Sequence, residues 1–198
     1  VVAYGAGNSP AVLQLLYTSR GPLLIAGLAE LGIVWYVSAR INKLSLVAAT
    51  MWFIVFSALN GLTLGWIFAV YQIASIAKTF FITAGTFGAM ALVGATTKKD
   101  LTKMGGILLM ALIGLIIASL VNIFLKSTMM DLIVSGIGVL IFTGLTAWDA
   151  QAIKRNLLMA PDAGEAAQKI ALLGSLSLYL DFINLFLYLL RFFGNNRN

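Results

Sequence analysis

Long apolar runs separated by short polar clusters set the pattern of this chain. Six runs reach the roughly 20 residues a helix needs to cross a bilayer core of about 30 Å. They cover 21–40, 45–71, 79–97, 105–125, 132–153 and 168–193. Polar and apolar positions do not alternate over repeated ten-residue stretches, as a membrane barrel would require, so the runs read as helices. The connections are short, as in a compact bundle. Only 154–167, with Pro161, Gly164 and two acids, is a loop of any size, and no connection holds a soluble domain. The pattern predicts an all-α polytopic membrane protein, with residues 1–198 forming a single transmembrane helical domain. The opening VVAYGAG reads as the tail of a hydrophobic helix. No secretory signal is visible, and we expect upstream sequence, including most of a membrane helix, to be absent here.

Composition agrees. Hydrophobic residues make up 61% of the chain and charged residues 10%, with mean hydropathy +0.98. Soluble domains carry about 25% charged residues. The first partner is therefore the lipid bilayer. There is no Cys and no His, which removes disulfides, thiolate chemistry, His-based metal sites and His-based pH sensing. The net charge of +6 is not read as a nucleic-acid footprint, because basic residues in such a protein fix helix orientation. Arg40, Lys43, Lys98, Lys99, Lys103, Lys154, Arg155 and Lys169 fall on one side. Arg20, Lys78, Lys126, Arg191 and Arg197 fall on the other. The richer side is expected to be cytoplasmic, which turns the C-terminus outward.

Small residues recur at close-packing spacing: Gly61 with Gly65, Ala84 with Gly88, and Gly136 with Gly138. They are read as ordinary helix packing.

Four of the seven acids, Asp100, Asp131, Asp162 and Glu165, lie in loops or at helix ends, where water suffices. Glu30, Asp149 and Asp181 lie inside the apolar runs. A carboxylate at the bilayer centre costs at least ~2.5–3.5 kcal/mol, so each should face the bundle interior or a watery cavity and have a partner. Steps of three and four residues from Asp181 reach Gly174, Ser177, Asn184 and Tyr188, a polar stripe on one helix face. Asp181 is either a packing acid bonded to Ser177 or Asn184, or it meets an acid on another helix. Asp149 is either an interfacial acid paired with a nearby Lys or Arg, or it meets Asp181. Two facing carboxyls in low dielectric cannot easily both ionise and would share one proton, making a pH sensor without histidine. Glu30 either lines a cation path or is protonated and hydrogen-bonded.

The stretches FTGLTAWDAQAIKR and ALLGSLSLYLDFINLFLYLLRFFG resemble the signature of the transmembrane BAX inhibitor motif family, also called Bax inhibitor-1 or YccA-like. The middle of the chain, FGAMALVGATTKKDLTKMGGILLMALIGLIIASLVNIFLKS, is similar to bacterial members. The resemblance implies a seven-helix bundle around a central C-terminal helix, in the bacterial inner membrane, with the first helix largely absent from this sequence. It implies a pH-sensitive calcium leak in which Asp149 hydrogen-bonds Asp181, with Arg40 as a candidate latch. The family has Tyr where this chain has Trp148, which removes one hydroxyl.

A passive Ca²⁺ leak needs oxygen ligands. Glu30, Asn60, Asn122 and Asn184 are candidates for the cation path, with Asp149 and Asp181 as transient ligands. No EF-hand spacing exists, so we expect no tight metal site and no cofactor, Ca²⁺ being the transported ion. The alternative is a membrane-embedded regulator of a membrane protease or of a stress response, without transport of its own. An enzyme is not expected. Aspartyl intramembrane proteases use two membrane aspartates, but Asp181 follows Leu-Tyr-Leu and lacks the glycines that admit a substrate backbone.

Overall fold

A computed structural model describes residues 1–17, 20–160 and 164–195. Pro161, Asp162 and Arg197 lie outside the described residues. Among the described residues the chain is helical: α1 (Val2–Gly7), α2 (Pro10–Tyr17), α3 (Arg20–Arg40), α4 (Leu46–Thr63), α5 (Trp66–Val70), α6 (Ile73–Thr96), α7 (Thr102–Leu125), α8 (Thr128–Leu158) and α9 (Glu165–Phe193). Six stretches are long and apolar enough to cross a membrane: Gly21–Arg40, Leu46–Val70, Ile73–Thr96, Thr102–Leu125, Thr128–Leu158 and Glu165–Phe193. They answer one by one to the six apolar runs, and the chain is a multi-pass, all-α integral membrane protein.

Large apolar side chains turn outward. On α7, Ile107, Met110, Ile113, Ile117, Leu120 and Phe124 are all exposed. In water this would be a liability; against lipid tails it costs nothing, because apolar surface there has no water to leave. What holds the helices together is therefore close packing and polar contact.

The described residues fall into two compact units: those in Val1–Ile76, Ala163–Leu173 and Asn195–Asn198, and those in Ala77–Asp162 and Gly174–Gly194. In the first, Ser45 caps α4 by accepting the Ala48 N–H at 3.2 Å, which satisfies one of the donors a helix start leaves free. The apolar run 45–71 is one membrane segment but two helices, with a turn at Leu64 and Gly65. Here the glycine pair has its use. A Cβ on Gly61 would lie 2.8 Å from the Val2 Cβ, and one on Gly65 2.8 Å from the Ala6 Cβ. Only glycine lets α1 lie this close to α4. A methyl on Gly88 would meet open space, so the Ala84–Gly88 spacing marks no such contact at Gly88.

The second unit has its core in Leu115 of α7, Val134, Ile141, Phe142 and Leu145 of α8, and Leu185 and Leu189 of α9. The turn from α7 to α8 takes two residues. Lys126 adopts the left-handed conformation at φ 50°, and Ser127 caps α8 by accepting the Met130 N–H at 3.3 Å. That cap explains why α8 begins at Thr128, four residues before the apolar run does.

Candidate functional site

The second unit brings Asp149 of α8 and Asp181 of α9 together, their carboxyl groups facing within hydrogen-bonding reach. Three members of the polar stripe read from the sequence, seven residues apart on α9, meet α8 in three layers. Gly174 lies against the Ile153 side chain, Asp181 meets Asp149, and Tyr188 stacks on Phe142 with ring centroids 5.8 Å apart. Gly138 makes room for that tyrosine: a Cβ there would fall 2.7 Å from Tyr188 Cδ2. Two steps of seven are nearly four helical turns, so one face of α9 runs along α8 through all three layers.

Other helices hold the pair in place. Phe182, beside Asp181, is packed edge-on by Phe80 and Phe87 of α6, with centroids 5.5 and 5.4 Å away. Gly94 of α6 lies against the Ala147 backbone, and Gly105 of α7 against the Trp148 indole. Thr146 is wholly buried, and its hydroxyl donates to the Phe142 carbonyl at 2.7 Å. Small residues thus clasp α8 on two sides, just before Asp149.

Asp181 is 5% exposed, and its Oδ2 is buried with no N–H or O–H donor. Asn184, an alternative partner, instead donates to the Leu180 carbonyl of its own helix at 2.8 Å. Lys154 donates to the Ala95 carbonyl at 2.7 Å, and Arg155 lies 3.8 Å from Asp100, so neither basic neighbour pairs with Asp149. Two carboxyl groups can hydrogen-bond each other only through a proton on one of them. The Trp148 indole Nε1 is buried without an acceptor, so tryptophan does not supply the polar contact a tyrosine hydroxyl could make there.

Of the other candidates, Glu30 and Asn60 meet in the first unit. Asn60 Nδ2 donates to Glu30 Oε2 at 3.0 Å, and the Thr63 hydroxyl donates to Glu30 Oε1 at 2.7 Å. Asn122 belongs elsewhere: its Oδ1 accepts the Ser127 N–H at 3.1 Å and fastens the α7–α8 turn. Arg40 is an exposed residue at the end of α3, in the first unit, with its guanidinium 5.9 Å from the Tyr36 ring centroid. Among the described residues no three His, Cys, Asp or Glu side chains gather as metal ligands.

Sequence reading missed two features. Thr63 is the second donor to Glu30; its position three residues after Asn60 on one helix could have revealed it. Gln151 grips the α6–α7 loop, accepting the Leu101 N–H at 2.8 Å and donating to the Lys99 carbonyl at 2.7 Å. Nothing local marks a glutamine for contacts 50 and 52 residues away.

Comparison with known proteins places the chain in a family. The family described as "Inhibitor of apoptosis-promoting Bax1" matches residues 1–198. The chain is 53% identical to the inner membrane protein YbhL of Escherichia coli K12, over 99% of this chain and 84% of YbhL. It is 46% identical to an uncharacterized protein of Borreliella burgdorferi, over 100% of this chain and 85% of that one. An uncharacterized membrane protein of Streptococcus pyogenes serotype M1 is 42% identical, over 99% of this chain and 90% of its own length. With its whole length matched, this multi-pass membrane protein belongs to the Bax inhibitor-1 family.

Proposed function

We propose that this protein is a passive, pH-sensitive Ca²⁺ leak of a bacterial inner membrane, gated by Asp149 and Asp181. One observation carries the reading: two carboxyl groups face each other inside a membrane bundle, and Asp181 Oδ2 is buried with no N–H or O–H donor. With one proton between them, the acids tie α8 to α9. When that proton leaves, two like charges remain. At about 4 Å and an effective dielectric near 20, two unit charges interact by about 4 kcal/mol. A shift of that size is enough to change which of two helix arrangements dominates. Freed carboxylates are also hard oxygen ligands, suited to a transient Ca²⁺ and too few for a tight site.

The inner-membrane location rests on the name of YbhL and on the six apolar helices. Arg40 is the candidate latch for a released carboxylate, and Glu30 with Asn60 is a second candidate polar site for the cation. The protein acts without a cofactor and without enzymatic chemistry. The test is Ca²⁺ uptake into liposomes holding only this protein, followed across pH. Uptake that depends on pH in the wild type and loses that dependence in Asp181→Asn supports the reading. Absence of protein-dependent uptake at every pH overturns it and leaves regulation of a membrane protease, without transport, as the alternative.

A further inference from the structure

Beside the α7–α8 turn, and apart from the aspartate pair, the second unit carries a polar pocket of about 290 Å³ lined by Ser119, Asn122, Ile123, Lys126, Asp131 and Arg191. We infer that this pocket binds a zwitterionic phosphate-ester headgroup, phosphoethanolamine in class, with Lys126 and Arg191 on the phosphate and Asp131 on the ammonium.

The position comes first. α7 and α8 both cross the membrane and are joined by only Lys126 and Ser127, so their turn lies where headgroups lie. Next to it Phe124 is 85% exposed and Met129 67%, offering apolar surface to acyl chains.

The charges come second. Two cations and one carboxylate line the pocket. Arg191 and Asp131 form a loose ion pair at 3.8 Å, longer than the roughly 2.7–2.9 Å of a close charge-assisted bond. Both side chains stay half exposed, at 41% and 53%, so each can take a ligand group. Arg191 is also held over the Tyr188 ring, 5.7 Å from its centroid, which fixes the guanidinium at the pocket wall. Lys126 is turned by its left-handed backbone, at φ 50°. Asn122 spends its Oδ1 on the Ser127 N–H, so its amide N–H groups remain to donate to a phosphate oxygen.

The sum of these charges selects the ligand. A headgroup with phosphate alone leaves Asp131 facing an anion. One with phosphate and a primary ammonium satisfies both signs. The volume is at the small end for ligand pockets, about 300–1,000 Å³, and suits a headgroup better than a larger metabolite.

The test uses the full chain, delipidated in detergent, with native mass spectrometry at equal concentrations of phosphatidylethanolamine, phosphatidylglycerol and soluble phosphoethanolamine. Wild type should hold phosphatidylethanolamine at least threefold more than phosphatidylglycerol. Lys126→Gln and Arg191→Gln should each lower that retention, by about fivefold for a cation at the membrane surface. Asp131→Asn should remove the preference, so that the two lipids bind alike. Lys126 is exposed, so its variant keeps the fold and carries the test should Arg191→Gln lose it. Soluble phosphoethanolamine held as tightly as the lipid supports the same chemistry and makes the source a soluble ester. Equal retention of both lipids by the wild type, or a preference untouched by Asp131→Asn, overturns the assignment.

Discussion

Gly94 on α6 lies against the backbone of Ala147 on α8, so close that a methyl on Gly94 would come 2.7 Å from the Ala147 carbonyl carbon and 2.8 Å from its Cα. Backbone cannot swing aside as a side chain can. Gly94→Ala should therefore destabilise the protein by about 1–3 kcal/mol, the usual cost of overpacking. Gly88→Ala, six residues earlier on the same helix, meets open space and should be neutral or stabilising by up to about 1 kcal/mol. Thermal melting in detergent would compare the two. Equal melting temperatures would mean that α6 is not pressed against α8 at this level.

Glu30 accepts from two residues of α4 at once, Asn60 and Thr63. Glu30→Ala removes the acceptors of both bonds. The expected loss is about 1–3 kcal/mol, the range for leaving a buried hydrogen-bonding partner unsatisfied. Glu30→Gln keeps one carbonyl acceptor and should lose less. Ca²⁺ uptake by the folded Gln variant then separates structure from transport. Uptake equal to wild type at every pH would make Glu30 a structural residue only.

Asp149 and Asp181 should behave as one titrating unit. Asp149→Asn and Asp181→Asn should each flatten the pH dependence of Ca²⁺ uptake. The double variant should be little worse than either single one, because groups acting together are non-additive. Two single effects that simply add, or two single variants keeping the wild-type midpoint, would show the acids to be independent.

Outside the membrane-crossing helices, Asp100 offers a separate pH prediction. Hydrogen bonds from the Thr102 hydroxyl, at 2.6 Å, and the Thr102 N–H, at 2.9 Å, hold its carboxyl below the ordinary carboxylate range, with help from Arg155 and Lys103. A lowered folded-state value means that the carboxylate form stabilises the loop above the unfolded value, near 3.9, and that this contribution fades as pH falls through the lower folded one. Amide exchange at Thr102, corrected for intrinsic rates, should therefore speed up below about pH 4 in the wild type. Asp100→Ala, which removes the acceptor, should be fast at every pH. A wild-type Thr102 amide equally protected above and below that range would count against the Asp100 cap.

The sequence by itself determined the class of the protein and the places where its chain crosses a membrane. Apolar length is a local property, and in lipid every backbone group must be satisfied within its own segment, so each apolar run had to be a helix whatever its neighbours did. It also determined which α9 face is special, because residues 174, 181 and 188 recur every seven positions and share one side of a helix. The two-aspartate signature needed the resemblance as well as the spacing. Only the tertiary structure decided which of two partners each acid takes. Asp149 passes over Lys154 and Arg155, close in sequence, for Asp181, 32 residues on. Asn60 joins Glu30, while Asn122 and Asn184 spend their side chains on a turn and on their own helix. An amide or a carboxyl carries the same label in the sequence wherever it goes. Its partner is set by which helix faces come together, and in this unit that is set by glycines such as Gly94 and Gly138, whose missing side chains let α8 be approached so closely.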